Sequence, residues 1–115
     1  MLTDSEFIAA ADATLGEIGE AIDRAVDASD VDLDWTIHDG ILTIECEDGS
    51  KLIVNRHVPN REIWVAARAG GYHFHAQRGE WRDTRSGDEL AAAIAALLRS
   101  QAGLAITLPA LRSPG

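Results

Sequence analysis

Carboxylates are the side chains of this 115-residue chain with the clearest chemical potential. Up to Asp48 the sequence holds 14 acids and one base, Arg24; from Gly49 onward it holds 5 acids and 9 bases, and the whole chain carries a formal charge of −9. At helical spacing Asp12, Glu20, Asp23 and Asp27 fall together on one side, with Glu17 on its flank. Asp32 and Asp34 continue the run. Crowded like charges repel, so a cation or a basic surface would relieve them. Carboxylate oxygens suit hard cations, and no soft ligand lies beside them in sequence. Exposed carboxylates without a closed cage give weak, exchangeable and poorly selective sites. A merely solvated helix face is the alternative reading of the same run.

Other reactive types are sparse. His73 and His75 form an HxH pair on one strand face, a spacing that can hold a transition metal only with a third ligand from elsewhere; a polar strand face accounts for it better. His38 and His57 are lone histidines. Cys46 is the only cysteine, which rules out an internal disulfide and a multi-cysteine metal site; alternating with Glu45 and Glu47, it should face the core as a small apolar group. No serine has a nucleophile-elbow context. Gly70-Gly71 belongs to a hairpin turn rather than a strand-to-helix phosphate loop. The acidic balance opposes nucleic-acid binding. No apolar run approaches the ~18 residues of a membrane span, and the first residues resemble neither a secretory signal nor a transit peptide, so the expected location is the cytoplasm.

These side chains need elements to hold them. Thr3 to Asp27 reads as a helix opened by a capping box of Thr3 and Glu6, with Phe7, Ala11, Leu15, Ile18, Ile22 and Val26 as one apolar stripe. Gly16 and Gly19 each weaken it by up to ~1 kcal/mol relative to Ala, so packing must hold it. Val31 to His38 switches to period two, with Asp32 and Asp34 on the polar face. Asp39-Gly40 and Asp48-Gly49 read as two-residue hairpin turns. Strands at Ile41 to Glu47, Lys51 to Asn55, Glu62 to Arg68 and Tyr72 to Ala76 follow, with a loop over 56–61, a turn at Ala69-Gly70-Gly71 and a short strand around Trp81. Ser86 and Glu89 read as a second capping box, opening a helix to about Gln101 with Leu90, Ile94, Leu97 and Leu98 as its core stripe and Gly103 as its stop. The order predicts an α+β fold: a two-layer sandwich whose antiparallel sheet of about six strands carries the N- and C-terminal helices packed on one face. The length is that of a single domain, with a core over about 4–103 and a tail, 104–115, that either packs along the body or stays loose.

That layout leaves the other sheet face bare. Ile63, Val65 and Ala67 alternate with Trp64, so Trp64 points outward, and Asn55 falls on the same face. An exposed tryptophan among polar neighbours is a candidate binding hot spot. Trp35 and Trp81 are assigned to packing.

At this point the chain resembles the frataxin family, specifically its bacterial CyaY-type members. The resemblance rests on DSEF from Asp4, LTIE and EDGSKLIVNR between Leu42 and Arg56, REIWVAAR from Arg61, GGYHF from Gly70, and EW, RSG and EL between Glu80 and Leu90. It covers roughly residues 4–103. It implies the same sandwich, no enzymatic active site, and an iron-binding regulator or adaptor of iron–sulfur cluster assembly that docks on the cysteine desulfurase and its scaffold protein. Iron, ferrous or ferric, would sit weakly on an acidic ridge of the first helix and strand. Glu20, Asp23, Asp30, Asp32 and Asp34 match that ridge; Asp27 lies in the same region, and Glu17 joins from its flank. Gly19 and Arg24 stand where some relatives carry acids, and about two extra residues fall near Asp34 to Thr36. On the sheet face Asn55, His57, Trp64 and Arg68 would meet the partner, with His57 replacing the family's usual glutamine. The expected state is a monomer, with an iron-dependent oligomer as the alternative.

Two rival functions share these residues. A ferroxidase or iron-storage protein would need paired ligands holding two irons, as in di-iron bundles. An acidic domain that binds a basic protein would ignore metal altogether.

Overall fold

A computed structural model describes residues 2–115. Eight elements follow one another: α1 (Asp4–Asp27), β1 (Leu33–His38), β2 (Ile41–Cys46), β3 (Lys51–His57), β4 (Glu62–Ala67), β5 (Gly70–Gln77), β6 (Glu80–Asp83) and α2 (Leu90–Ala102). The strands form one antiparallel sheet in sequence order, β1-β2-β3-β4-β5-β6. Alternation sorts the strands from β2 to β6. Leu42, Ile44, Leu52, Val54, Ile63, Val65, Phe74 and Trp81 are buried on the inner face, against Phe7, Leu15, Ile18 and Ile22 of α1 and Leu90, Ile94 and Leu98 of α2. This is the expected α+β sandwich, and each large apolar side chain so buried contributes roughly 1.5–3 kcal/mol.

The Thr3–Glu6 capping box is present: Thr3 N–H donates to Glu6 Oε1 at 3.0 Å, and Glu6 N–H to Thr3 Oγ1 at 3.1 Å. The second capping box is not formed. Gly87 takes a left-handed φ of 79° and Ser86 Oγ instead accepts the Asp88 amide, so the helix starts later. Glu89 is its N-cap, accepting the Ala91 and Ala92 amides. Gly103 ends α2 in the left-handed conformation, as expected. Asp48-Gly49 is not a two-residue turn either. Cys46 N–H donates to Ser50 O, leaving a three-residue loop in which Gly49 adopts φ 87°. The β4–β5 turn is tighter than expected, because Ala67 pairs with Gly70 and only Arg68 and Ala69 lie between. β1 starts at Leu33, leaving Asp32 outside it, β3 runs on to His57, and Ile37 stays exposed despite its apolar parity.

The tail packs. Leu104 and Leu111 join the core, Leu111 N–H donates to Glu89 Oε2 at 3.1 Å, and Ser113 N–H donates to Gly79 O at 2.9 Å. Cys46 is buried, as its alternation implies.

Trp81 anchors the two layers. Its ring is fully buried, meets Phe7 edge-on at 6.0 Å, and donates Nε1–H to the buried Thr14 Oγ1 at 3.0 Å. Thr14→Val would strand this buried donor and is expected to cost about 1–3 kcal/mol in urea unfolding, while Thr14→Ser keeps the acceptor and most of the stability.

Asp48 gives a pH prediction. Its carboxyl is held well below the usual range by hydrogen bonds from the Ser50 side chain, Arg68 and the Ser50 backbone. A carboxyl depressed on folding stabilises above its unfolded pKa, near 4, and loses that contribution as pH falls. Asp48→Asn should therefore lower the unfolding midpoint at neutral pH, and the gap to the parent should close as the pH drops below about 4.

Candidate functional site

The acids of the first half do not share one fate. Asp12 is already engaged: Arg56 Nη1 donates to both its oxygens at 2.6 and 2.7 Å, reaching from the sheet to α1. The Arg56 side chain lies over Gly40, where a Cβ would come within 2.4 Å of Nε, and with a left-handed φ of 75° this turn position favours glycine. Asp23 is also fixed, but by a neutral partner. Trp35 Nε1–H donates to Asp23 Oδ1 at 2.8 Å. The Trp35 ring rests on Gly19, where a Cβ would approach ring carbons at 2.7–2.9 Å. Gly19 is thus the opening through which β1 packs on the helix.

The remaining ridge acids are open. Among the described residues, the carboxylates of Glu17, Glu20, Asp27, Asp30, Asp32 and Asp34 are exposed, and no hydrogen bond or ion pair engages them. Arg24 is exposed among them on α1. The strand acid faces away from the helix. Leu33 and Trp35 take the inner side of β1, so Asp34 lies on the outer side beside its register partner Glu45, which in turn faces Lys51. Among the described residues no three His, Cys, Asp or Glu side chains form a ready metal cage. The acids are hard donors spread over helix and strand, fit for a loosely held cation.

The outer sheet face carries more side-chain contacts than the ridge. Register brings Asn55, Trp64 and His73 into one row across β3, β4 and β5. The Trp64 ring is stacked between two imidazoles: His57 at 3.6 Å with 10° between planes, and His73 at 4.2 Å with 8°. Trp64 Nε1–H donates to Glu62 Oε1 at 2.8 Å. His57 Nδ1 accepts the Asn60 amide at 3.3 Å. His75 lies opposite Glu62 on one side and Arg82 on the other. Arg68 is not part of this group. It sits beyond the far end of β4, where its guanidinium pairs with Asp48 and its amide donates to Gln101 Oε1 at 3.0 Å. A cleft of about 390 Å³ opens beside the row, lined by His73, Tyr72, Arg85, Ser86, Ala93 and Leu97.

Sequence reasoning found Asn55, His57 and Trp64 but missed Glu62 and His73 as members of the same cluster. The signal was the turn. A two-residue turn at Arg68-Ala69 places Trp64 opposite His73, whereas a three-residue turn shifts the pairing and hides the stack.

Comparison with known proteins agrees with this fold. Residues 1–104 match the family model of the frataxin-like domain. The iron-sulfur cluster assembly protein CyaY of Ralstonia nicotianae is 48% identical over 109 residues, covering 95% of this chain and 96% of that protein. A frataxin of Psychromonas ingrahamii, solved as a model for stability within the CyaY family, superimposes with a TM-score of 0.82 at 34% identity, over 91% of this chain and 96% of that one. Trimeric yeast frataxin from Saccharomyces cerevisiae complexed with ferrous gives 0.69 at 25% identity, over 78% and 82%. With its helices, its one-sided sheet and nearly its whole length accounted for, this chain belongs to the frataxin family.

Proposed function

We propose that this protein is an iron-binding adaptor of iron–sulfur cluster assembly, working in the cytoplasm through two surfaces. The observation that carries the reading is the set of exposed carboxylates running from α1 to β1 that have no basic partner among the described residues, while Asp4, Asp12, Asp48 and Glu80 are each paired with an arginine. Glu17, Glu20, Asp23, Asp27, Asp30, Asp32 and Asp34 would take Fe²⁺ weakly and release it readily, because six of them offer open carboxylates and Asp23 one oriented by Trp35, with no place in a cage. The same charge would steer the chain onto a basic patch of the cysteine desulfurase. The outer face, through Asn55, His57 and Trp64, would meet the scaffold; Arg68, drawn towards Asp48, would lie at its margin. The name of the Ralstonia relative and the ferrous complex of the yeast relative support this assignment.

The ferroxidase reading lacks support from the ridge, whose carboxylates do not converge as the paired ligands of a di-iron site do. Oxygen consumption on Fe²⁺ addition, set against a carboxylate-rich control protein, separates the two readings.

The deciding experiment is anaerobic cluster formation by the cognate desulfurase and scaffold across an Fe²⁺ series. The initial rate should change with this protein in an iron-dependent way, and Glu20→Lys, Asp23→Lys and Asp27→Lys together should abolish that change. Desulfurase affinity should fall steeply with ionic strength, by roughly tenfold from low to physiological salt. A rate unaffected at every iron level would overturn the adaptor reading, and partner binding indifferent to iron would favour a metal-independent acidic domain.

A further inference from the structure

The stack on the outer face has an asymmetry that bears on how it presents Trp64; its consequence for docking rests on the function proposed above. Both faces of the indole are covered by imidazoles, and its one polar group, Nε1–H, is already engaged by Glu62 Oε1. That same oxygen stands 3.8 Å from His73 Nδ1. One carboxylate oxygen therefore serves the indole and faces a titratable ring. Imidazole changes charge within the physiological pH range.

The two imidazoles are not equivalent. His57 Nδ1 accepts the Asn60 amide, which needs a free lone pair and hence the neutral ring. His73 turns Nδ1 towards a carboxylate, the better place for a positive charge. A charge on His73 is also compatible with the stack, since a cation over an indole face is attracted to it. A second charge on the opposite face of the same indole would repel the first. Of the two stacked rings, His73 is thus the one whose surroundings suit a positive charge. The other charged groups nearby are largely engaged. Arg82 on β6 bonds Glu80 and the Gly87 carbonyl. Asp83 accepts the Arg85 and Ser86 amides. His75 on β5 lies across from Glu62. Arg85 and Asp88 share the adjoining cleft with His73.

We infer that Glu62 and His73 are positioning residues for Trp64, and that protonation of His73 draws Glu62 away from the indole and frees the Trp64 N–H for an acceptor oxygen on a partner. At higher pH the indole presents only its carbon edge; at lower pH it gains a hydrogen-bond donor.

The test uses the full chain labelled with ¹⁵N. Its three indole N–H signals belong to groups with three different partners: Trp35 with Asp23, Trp64 with Glu62, and Trp81 with Thr14. Between about pH 8 and about pH 5.5 the Trp64 signal should shift with the midpoint of the His73 ring, while the Trp81 signal stays fixed as a control for folding. His73→Phe, which keeps a stacking ring without a titrating group, should abolish the shift, and Glu62→Gln should do the same. His57→Phe should leave it in place. A Trp64 signal that does not move, or that moves equally in His73→Phe, overturns the inference. Affinity for the cognate scaffold should differ severalfold between the two ends of the range for the parent and not for His73→Phe. Equal pH dependence in both would overturn the docking consequence. Absence of scaffold binding at either pH would sink the proposed partner instead, with the indole titration still deciding the role of His73.

Discussion

The sheet is covered on one face only, and that constraint organises the rest of the molecule. Two helices lie against the inner face, so each strand must alternate between residues that can be buried and residues that can meet water. The inner set is almost wholly apolar. The outer set is free to carry Asn55, Glu62, Trp64, His73 and His75. Because side chains alternate with a period of two, sliding a strand by one residue would exchange the sets, putting Trp64 inside and Val65 outside. The apolar core therefore fixes the outer cluster without touching it. The turns enforce the same register: Asp39 and Gly40 both take positive φ, 50° and 75°, the geometry that matches the twist of a two-residue hairpin.

Charge is sorted by a second constraint. The acids of the first half outnumber the bases of the second, so pairing cannot be complete. Three of the four arginines that pair reach acids of the first half at its periphery, Arg61 to Asp4, Arg56 to Asp12 and Arg68 to Asp48, and Arg82 pairs with Glu80. Exposed ion pairs of this kind contribute about 0–1 kcal/mol each. Their larger effect is positional. They neutralise acids at both ends of the sheet and leave the uncompensated charge concentrated between Glu17 and Asp34. The acidic surface results from where the bases are held as much as from where the acids lie.

Most of the architecture could be read from the sequence, because periodicity reports burial directly: the α1 stripe, the alternation in β4 and the stop at Gly103 all stand where the pattern puts them. What escaped depends on contacts between distant residues or on turn geometry that dipeptide rules do not resolve. Ser86 and Glu89 have the spacing of a capping box, but the left-handed Gly87 turns the chain so that Glu89 caps alone. The tail lacks periodicity because its two buried leucines are seven residues apart and held by side-chain and turn contacts rather than by a regular element. Trp35 was legible as a packing residue, but not its choice of Gly19 and Asp23, since helix and strand are joined there only in three dimensions.

That last contact reconciles two features that look opposed. A helix bearing Gly16 and Gly19 has weak intrinsic stability, yet it must carry the densest negative charge on the molecule. Trp35 answers both needs, filling the space above Gly19 with an aromatic ring and giving Asp23 a donor that carries no formal charge. An arginine in its place would have neutralised the ridge; an indole holds a carboxylate in place and leaves its charge intact. No hydrogen bond or ion pair among the described residues holds the other ridge carboxylates, and ordering several of them around an ion would cost entropy that a rigid cage has lost in advance. On the function proposed above, an acidic surface with one oriented carboxylate and several unengaged ones would favour rapid exchange over retention, as presenting a metal to partners rather than storing it would require.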